Sequence, residues 1–343
     1  MTATPGQESW GAVYRGVPVL VLGASGFIGR WVARRLTEEG ANLTLGVRNR
    51  AAMESLRGPW HIDGRVTEVD LGQPGSARKL IEAARPAIVF NLAGYGVDRS
   101  ETDEGLFRRL NAGVVEELVS TLAEQEIGDA WSGLRLVHAG SVLEYGPVGG
   151  DLDEVTVARP DTAYGRSKLE GTAHVVAAVT PGALDAVVAR LFTVYGPGEH
   201  PGRLLPTLIA ARKAEGPIPL TQGTQRRDFL WVGDVASGLL RLGATSSSRA
   251  VPATVREPIV NLCTGRLTEV RSFVRQAAEI LGITEERLGF GLRTDPRVEL
   301  EHAPAPVARL RARVGWVPGT TPAEGIRRTL AFLEGSDRHG TCA

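Results

Sequence analysis

The chain has little cysteine and little lysine. Its 343 residues include two cysteines, Cys263 and Cys342, too few and too far apart for a disulfide framework or a thiolate metal site. A reducing cytoplasmic setting and no bound metal are the expectations. Lysine occurs three times, at Lys79, Lys168 and Lys213, among 39 cationic side chains, so a lysine with a chemical task is quickly found. Net charge is also lacking: 39 Lys and Arg face 39 Asp and Glu, which removes any general attraction for nucleic acid or anionic lipid. No apolar run approaches the ~20 residues that span a bilayer. The first sixteen residues have no basic segment leading into an apolar one, so no export signal or membrane partner is expected. Internal repeats and low-complexity tracts are missing as well.

What remains is an ordinary globular composition, 43% hydrophobic and 23% charged, long enough for one large domain or two smaller ones. Short β-branched runs alternate with helical spacing. Strands are predicted at Val17–Gly23, Leu43–Val47, Arg65–Asp70, Ala87–Ala93, Leu134–Ala139 and Leu184–Phe192. Helices are predicted between them at Gly26–Gly40, about Pro74–Arg85, Glu104–Glu124 and Thr162–Thr180. That rhythm indicates an α/β, doubly wound parallel sheet. It breaks after Phe192. Val194–Gly202 reads as loop, followed by a helix near Leu204–Glu215, a strand at Phe229–Val232, a helix at Val235–Leu242 and a strand at Ile259–Leu262. Thr245–Thr254 reads as a polar surface loop, and the tail from Thr268 as helices separated by loops. The expected division is a sheet domain over 12–193, with returning elements at about 226–263, and a smaller lobe from 194–225 and 264–343.

The first strand runs into Gly23-Ala24-Ser25-Gly26-Phe27-Ile28-Gly29 and then a helix. Glycines at this spacing, between strand and helix, let backbone amides approach a pyrophosphate at the positive end of a helix. The second strand ends in Val47-Arg48-Asn49-Arg50 without the acid that would bond an NAD ribose. Arg48 is the candidate contact for a 2′-phosphate, with Arg30 or Arg50 as helpers, so NADP(H) is favoured and NAD stays open. Asp70, ending the third strand, is either an adenine contact or a turn residue.

Tyr164-Gly165-Arg166-Ser167-Lys168 opens a helix and places phenol and amine at i and i+4, on one face. A nearby ammonium favours phenolate, so the expectation is a Tyr164 pKa below its usual ~10 and a proton donor or acceptor near neutral pH. Ser141, just after the fifth strand, is placed to bond the same substrate oxygen. His138 lies inside that strand and reads as a packed core histidine.

These segments, together with Asn91-Leu92-Ala93-Gly94, HAGSVLEYG (138–146), RLFTVYGPG (190–198) and RRDFLWVGDVA (226–236), occur in family order over nearly the whole chain. The sequence resembles the extended short-chain dehydrogenases/reductases, in their nucleotide-sugar epimerase/dehydratase/reductase branch. The resemblance implies a Rossmann domain with a substrate-binding C-terminal lobe, NAD or NADP, and a catalytic set on Ser141, Tyr164 and Lys168. It implies cofactor contacts from Gly23, Ser25, Gly26, Phe27, Ile28 and Gly29, from Leu92, Ala93 and Gly94, and from Tyr164 and Lys168. By resemblance Arg227 is a diphosphate ligand, Arg293 a second and Arg203 a further candidate. Asn111 would be a structural asparagine bonding backbone near the site. A homodimer joined through the helices at Glu104–Glu124 and Thr162–Thr180 is the family expectation.

Departures narrow the chemistry. Dehydratases of this branch carry adjacent Asp and Glu after the Ser/Thr; here Val142 and Leu143 stand there. Leu143 also lacks the carboxyl of the decarboxylases and the extra acid/base of the 3,5-epimerases. Glu144 is unusual where an apolar residue is common, and it receives no role. The expected function is NADPH-dependent reduction of the C4 keto group of an NDP-4-keto-6-deoxyhexose, with Tyr164 donating the proton. The alternatives are a 4-epimerase with retained NAD(P), a non-sugar carbonyl reductase and a non-catalytic dinucleotide sensor.

Overall fold

The protein is described from a computed structural model covering residues 13–96, 101–126, 131–179, 183–245, 257–294 and 301–335. Seven parallel strands form the central sheet: β1 (Pro18–Leu22), β2 (Asn42–Val47), β3 (Arg65–Glu68), β4 (Ile88–Asn91), β5 (Leu136–Ser141), β6 (Ala186–Leu191) and, later in the chain, β11 (Ile259–Leu262). Their order across the sheet is β11-β6-β5-β4-β1-β2-β3. Both faces of β1 are covered, so its side chains divide by parity. Val19 and Val21 join a core with Trp31, Val32 and Leu36; Leu20 and Leu22 join another with Leu80, Ile81 and Leu118. That two-sided burial is why the strand reads as a continuous apolar run rather than an alternating one.

The helices on the two faces are α1 (Phe27–Glu38), α2 (Arg50–Trp60), α3 (Ser76–Ala84), α4 (Glu104–Arg108), α5 (Val114–Glu124) and α6 (Ala163–Val179). Beyond the sheet come β7 (Thr193–Tyr195), α7 (Leu204–Ala211), β8 (Ile218–Leu220), β9 (Arg226–Arg227), β10 (Phe229–Trp231) and α8 (Val232–Gly243). After β11 follow β12 (Thr268–Glu269), α9 (Val270–Leu281), β13 (Leu288–Phe290), α10 (Ala308–Val314) and α11 (Pro322–Leu333). The short strands pair off as β7 with β10, β9 with β12 and β8 with β13.

Three expectations need correcting. Helix α2 was not anticipated. Asn49 caps it by accepting from the Ala52 amide at 2.9 Å; Met53, Leu56 and Trp60 keep helical spacing, but Pro59 stands inside it as a breaker. The stretch read as loop from Val194 begins inside β7, which pairs in register with β10 from Phe229↔Thr193 to Trp231↔Tyr195. The helix expected over Glu104–Glu124 is interrupted: at Arg109–Gly113 the ladder loosens to π geometry between α4 and α5. Residues 1–12, most of the Thr245–Thr254 loop, Asp295 to Arg297 and Cys342 lie outside the described residues.

The strand order reverses between β1 and β4. In an open parallel sheet the crevice at the carboxyl ends of such a pair is where ligands bind. Both the glycine turn and the segment after β4 lie there.

Candidate active site

The glycine turn owes its shape to close backbone approaches. Gly23 has φ +74, and a Cβ there would lie 2.8 Å from the Leu92 carbonyl oxygen and the Ala93 amide nitrogen. Gly29 presses on the turn itself: its Cβ would meet the Gly23 carbonyl oxygen at 2.0 Å. Gly26 is the N-cap of α1 and offers no side-chain acceptor to the free amides, and the first turn of α1 holds no acidic residue. Gly26 is exposed, and Ser25, Phe27 and Ile28 are half-buried. Unmet donors without a competing carboxylate suit a pyrophosphate. Leu92 and Ala93 are half-buried and Gly94 exposed, alongside this turn.

Arg48 is exposed at the end of β2. Its expected helpers are committed elsewhere. Arg50 donates to the Val66 carbonyl at 2.7 Å, and Arg30 donates to the Ser25 carbonyl at 2.9 Å while lying 5.0 Å from the centre of the Trp60 ring. Asp70 forms a turn, accepting from the Gly72 amide at 2.9 Å and the Gln73 side chain at 3.1 Å. Those bonds, with smaller pulls from Arg48 and Arg109, hold its carboxyl below the usual range.

Ser141, Tyr164 and Lys168 come together where β5 ends and α6 begins. The Ser141 side chain is close enough to the Tyr164 phenol to lower its pKa, and its hydroxyl accepts from the Leu143 amide at 3.2 Å. Lys168 donates to the Ala139 carbonyl at 2.5 Å. Glycines permit this approach of α6: a Cβ on Gly165 would lie 2.4 Å from the Leu143 carbonyl oxygen, and one on Gly171 2.2 Å from that of Asn111. Gly96, at φ +101, lies against the Tyr164 ring, 2.8 Å from its would-be Cβ.

The electrostatics correct one expectation. Burial pushes the Tyr164 phenol up to about 12, with Ser141 pulling the other way. Burial brings Lys168 down to about 8, with Glu144 opposing. Desolvation disfavours each group's charged form, so the phenol moves in the direction opposite to the one inferred from the Tyr164–Lys168 spacing.

Four polar residues surround this set. Asn111 sits in the π-helical turn. It accepts from the Tyr95 amide (2.9 Å) and donates to the Tyr95 carbonyl (2.8 Å) and the Ser167 hydroxyl (2.9 Å), the backbone-bonding part foreseen for it. His138 is fully buried beside the Asn91 amide at 3.1 Å, and burial, then Lys168, holds it well below its usual pKa. It is the neutral core histidine anticipated. Glu144 is buried in an ion pair with Arg190. Glu199 is half-buried with its side chain turned inward, its carboxyl raised to about 7 by burial and opposed by Arg203, which it faces at 3.4 Å. Only its place in the Gly-Pro-rich loop hinted at it.

The three arginines expected to hold the substrate stand on separate elements. Arg203 is exposed at the N-cap of α7, and its charge reaches Tyr164. Arg227 is half-buried on β9, next to Asp228, whose buried carboxylate accepts from Thr264 and Arg266 and so fixes that corner. Arg293 is exposed just after β13, its amide bonded to the Leu220 carbonyl at 3.0 Å. Among the described residues no group of three or more His, Cys, Asp or Glu could hold a metal, and no helix is long and apolar enough to cross a membrane.

A doubly wound parallel sheet with a glycine turn at its switch point and a Ser–Tyr–Lys set beside it defines a dinucleotide-dependent enzyme. The NAD dependent epimerase/dehydratase family matches residues 19–255. The chain belongs to that family, within the extended short-chain dehydrogenases/reductases, and is a nucleotide-sugar-modifying enzyme. It is 34% identical over 326 residues to a dTDP-6-deoxy-L-talose 4-dehydrogenase (NAD(P)(+)) of Kitasatospora kifunensis, covering 90% of this chain and 93% of that one. It is 31% identical over 232 residues to a probable dTDP-4,6-dihydroxy-2-methyloxan-3-one 4-ketoreductase of Streptomyces antibioticus, covering 65% and 66%. The solved structure of MoeE5 in complex with UDP-glucose and NAD superposes with a TM-score of 0.76 at 26% identity, covering 93% of this chain and 99% of that one.

Proposed function

We propose that this enzyme is an NADPH-dependent nucleotide-sugar ketoreductase acting on the C4 keto group of an NDP-4-keto-6-deoxyhexose. One observation carries the choice of reaction. The two positions after Ser141 are the apolar Val142 and Leu143, and the next carboxylate, Glu144, is turned inward with both oxygens occupied. Elimination of water needs a free acid/base pair at that place, and none is offered. Simple carbonyl–carbinol chemistry needs only the Ser–Tyr–Lys set. The names of the two curated relatives, a 4-dehydrogenase and a 4-ketoreductase, support the same position on the sugar.

In this reading Arg227, Arg293 and Arg203 hold the diphosphate, and the turn at Gly23–Gly29 with Leu92, Ala93 and Gly94 holds the cofactor. Arg48 takes the 2′-phosphate. The lobe over 194–225 and 264–343, which carries Arg203 and Arg293, is the substrate-binding part, and two copies associate through the 104–124 and 162–180 helices. When bound, NADPH supplies the hydride. The Tyr164 phenol, kept neutral by burial, gives its proton to the C4 oxygen as that carbon is reduced. Ser141 orients the same oxygen, and the Lys168 ammonium holds the cofactor ribose. The carbonyl gains one hydride and one proton and leaves as a secondary alcohol.

The test is incubation of purified protein with an NDP-4-keto-6-deoxyhexose and NADPH. Stoichiometric loss of NADPH absorbance with formation of the reduced sugar is the expected result. Unchanged NADPH, together with interconversion of NDP-hexoses without added cofactor, would make it a 4-epimerase instead.

A further inference from the structure

We propose that Glu144 is a positioning residue for this reaction: its buried carboxylate ties the backbone of Ser141 to the α6 face that carries Tyr164 and Lys168. One oxygen accepts from the Ser141 amide at 2.7 Å. The other accepts from the Thr172 hydroxyl at 2.8 Å and from Arg190 Nε at 2.9 Å. Tyr164, Lys168 and Thr172 follow one another at intervals of four on α6, so they share one side of the helix. The carboxylate therefore grips the same helix face one turn beyond Lys168.

The surroundings are built for this. Gly140 has no side chain where a Cβ would lie 2.7 Å from Glu144 Oε1. Arg190 is opposite Gly140 in the β5–β6 register and lies with its guanidinium 4.3 Å from the centre of the Tyr145 ring. Tyr145 in turn donates to Asn261 on β11 at 2.9 Å. Two strands and one helix are thus joined through one carboxylate, and a buried carboxylate with both oxygens hydrogen-bonded holds its neighbours rigidly.

The charge acts as well as the bonds. Lys168 faces the Ala139 carbonyl and His138 from β5, and the Glu144 carboxylate from the turn that follows it. Glu144 favours its protonated form. Tyr164 also feels Glu144, along with Arg203 and Glu101. Removing the carboxylate makes Lys168 lose its proton at lower pH.

The proposal rests on the ketoreductase reading, and its test separates the two. Three variants are compared with the parent. Glu144→Gln removes the charge. Glu144→Gln/Arg190→Met removes both buried charges and supplies a folded protein if the single variant collapses. Thr172→Val cuts the helix bond and leaves every charge. For either Glu144 variant, kcat falls about ten-fold or more with KM for the keto sugar little changed, because the lost effect is on orientation in the transition state. The basic limb of the pH profile moves down by roughly half a unit or more. Thr172→Val lowers kcat and leaves the limb in place. A purely structural Glu144 moves stability alone: folded variants with parental kcat and an unmoved limb overturn the proposal. So does a Thr172→Val variant with parental kcat, for the helix grip. NADPH affinity, followed against pH by fluorescence, needs no sugar. If the parent reduces no keto sugar but the fall of NADPH affinity moves to lower pH in Glu144→Gln, the reaction is wrong and the role of Glu144 stands. If the parent turns over and neither pH dependence moves, Glu144 has no such role.

Discussion

Two alanine substitutions, three residues apart, separate what the glycine turn does for the fold from what it does for the ligand. At Gly29 the added Cβ would lie 2.0 Å from the Gly23 carbonyl oxygen and 2.8 Å from its carbon. Both are backbone atoms, so relief requires moving the turn itself. Overpacking of that kind costs about 1–3 kcal/mol, read as a Tm several degrees lower. Gly26 is different. Its backbone is extended, at φ −71 and ψ 173, and open to any residue. Its Cβ would meet only the Gly23 oxygen, at 3.1 Å. Gly26→Ala should therefore leave stability within about 1 kcal/mol of the parent. The methyl would nonetheless stand over the uncapped amides of α1, where a pyrophosphate has to approach. Losing one charge-assisted bond there costs about 1.5–3 kcal/mol, roughly a 10- to 150-fold weaker Kd for NADPH. Thermal unfolding and fluorescence titration of NADPH measure the two effects separately. A stable Gly26→Ala protein that binds NADPH as tightly as the parent would show that the phosphates do not sit on this turn.

Other consequences can be checked with the same preparation. Tyr164→Phe should reduce turnover by about 10²–10⁴ and leave NADPH affinity within a few-fold; retained turnover would remove Tyr164 as proton donor. The turnover rate should decline as pH rises through about 8, because burial sets Lys168 there and the proposed mechanism requires the ammonium; a rate that stays flat well above that point contradicts this. Arg48→Ala should weaken NADPH by about ten-fold, the value of one charged contact to phosphate, and scarcely alter NADH. Equal losses for both cofactors would move the 2′-phosphate away from Arg48.

Legibility followed the range of the interaction. The glycine turn, the Tyr164–Lys168 spacing and the apolar runs of β1 and β4 to β6 are local patterns, and each lies in the structure where its pattern put it. Helix α2 escaped although Met53, Leu56 and Trp60 keep helical spacing, because Gly58 and Pro59 within it read as breakers. The tightness around Asn111 escaped too: a π turn saves no residue type of its own, and its purpose, bonding Tyr95 and Ser167 at once, lies on two other segments.

The amino-acid order by itself determined a parallel αβ sheet, a glycine turn between its first strand and helix, and a helix carrying phenol and amine on one side. Those depend on chirality, helical pitch and the preference of glycine for close approach, all properties of neighbouring residues. Only the tertiary structure decided the protonation of that pair and the place of Glu144. Desolvation raises the Tyr164 phenol and lowers Lys168, and burial depends on what the rest of the chain packs around them. The partners of Glu144, Thr172 and Arg190, are 28 and 46 residues away, and a carboxylate meets such partners only once β5, β6 and α6 have closed around it.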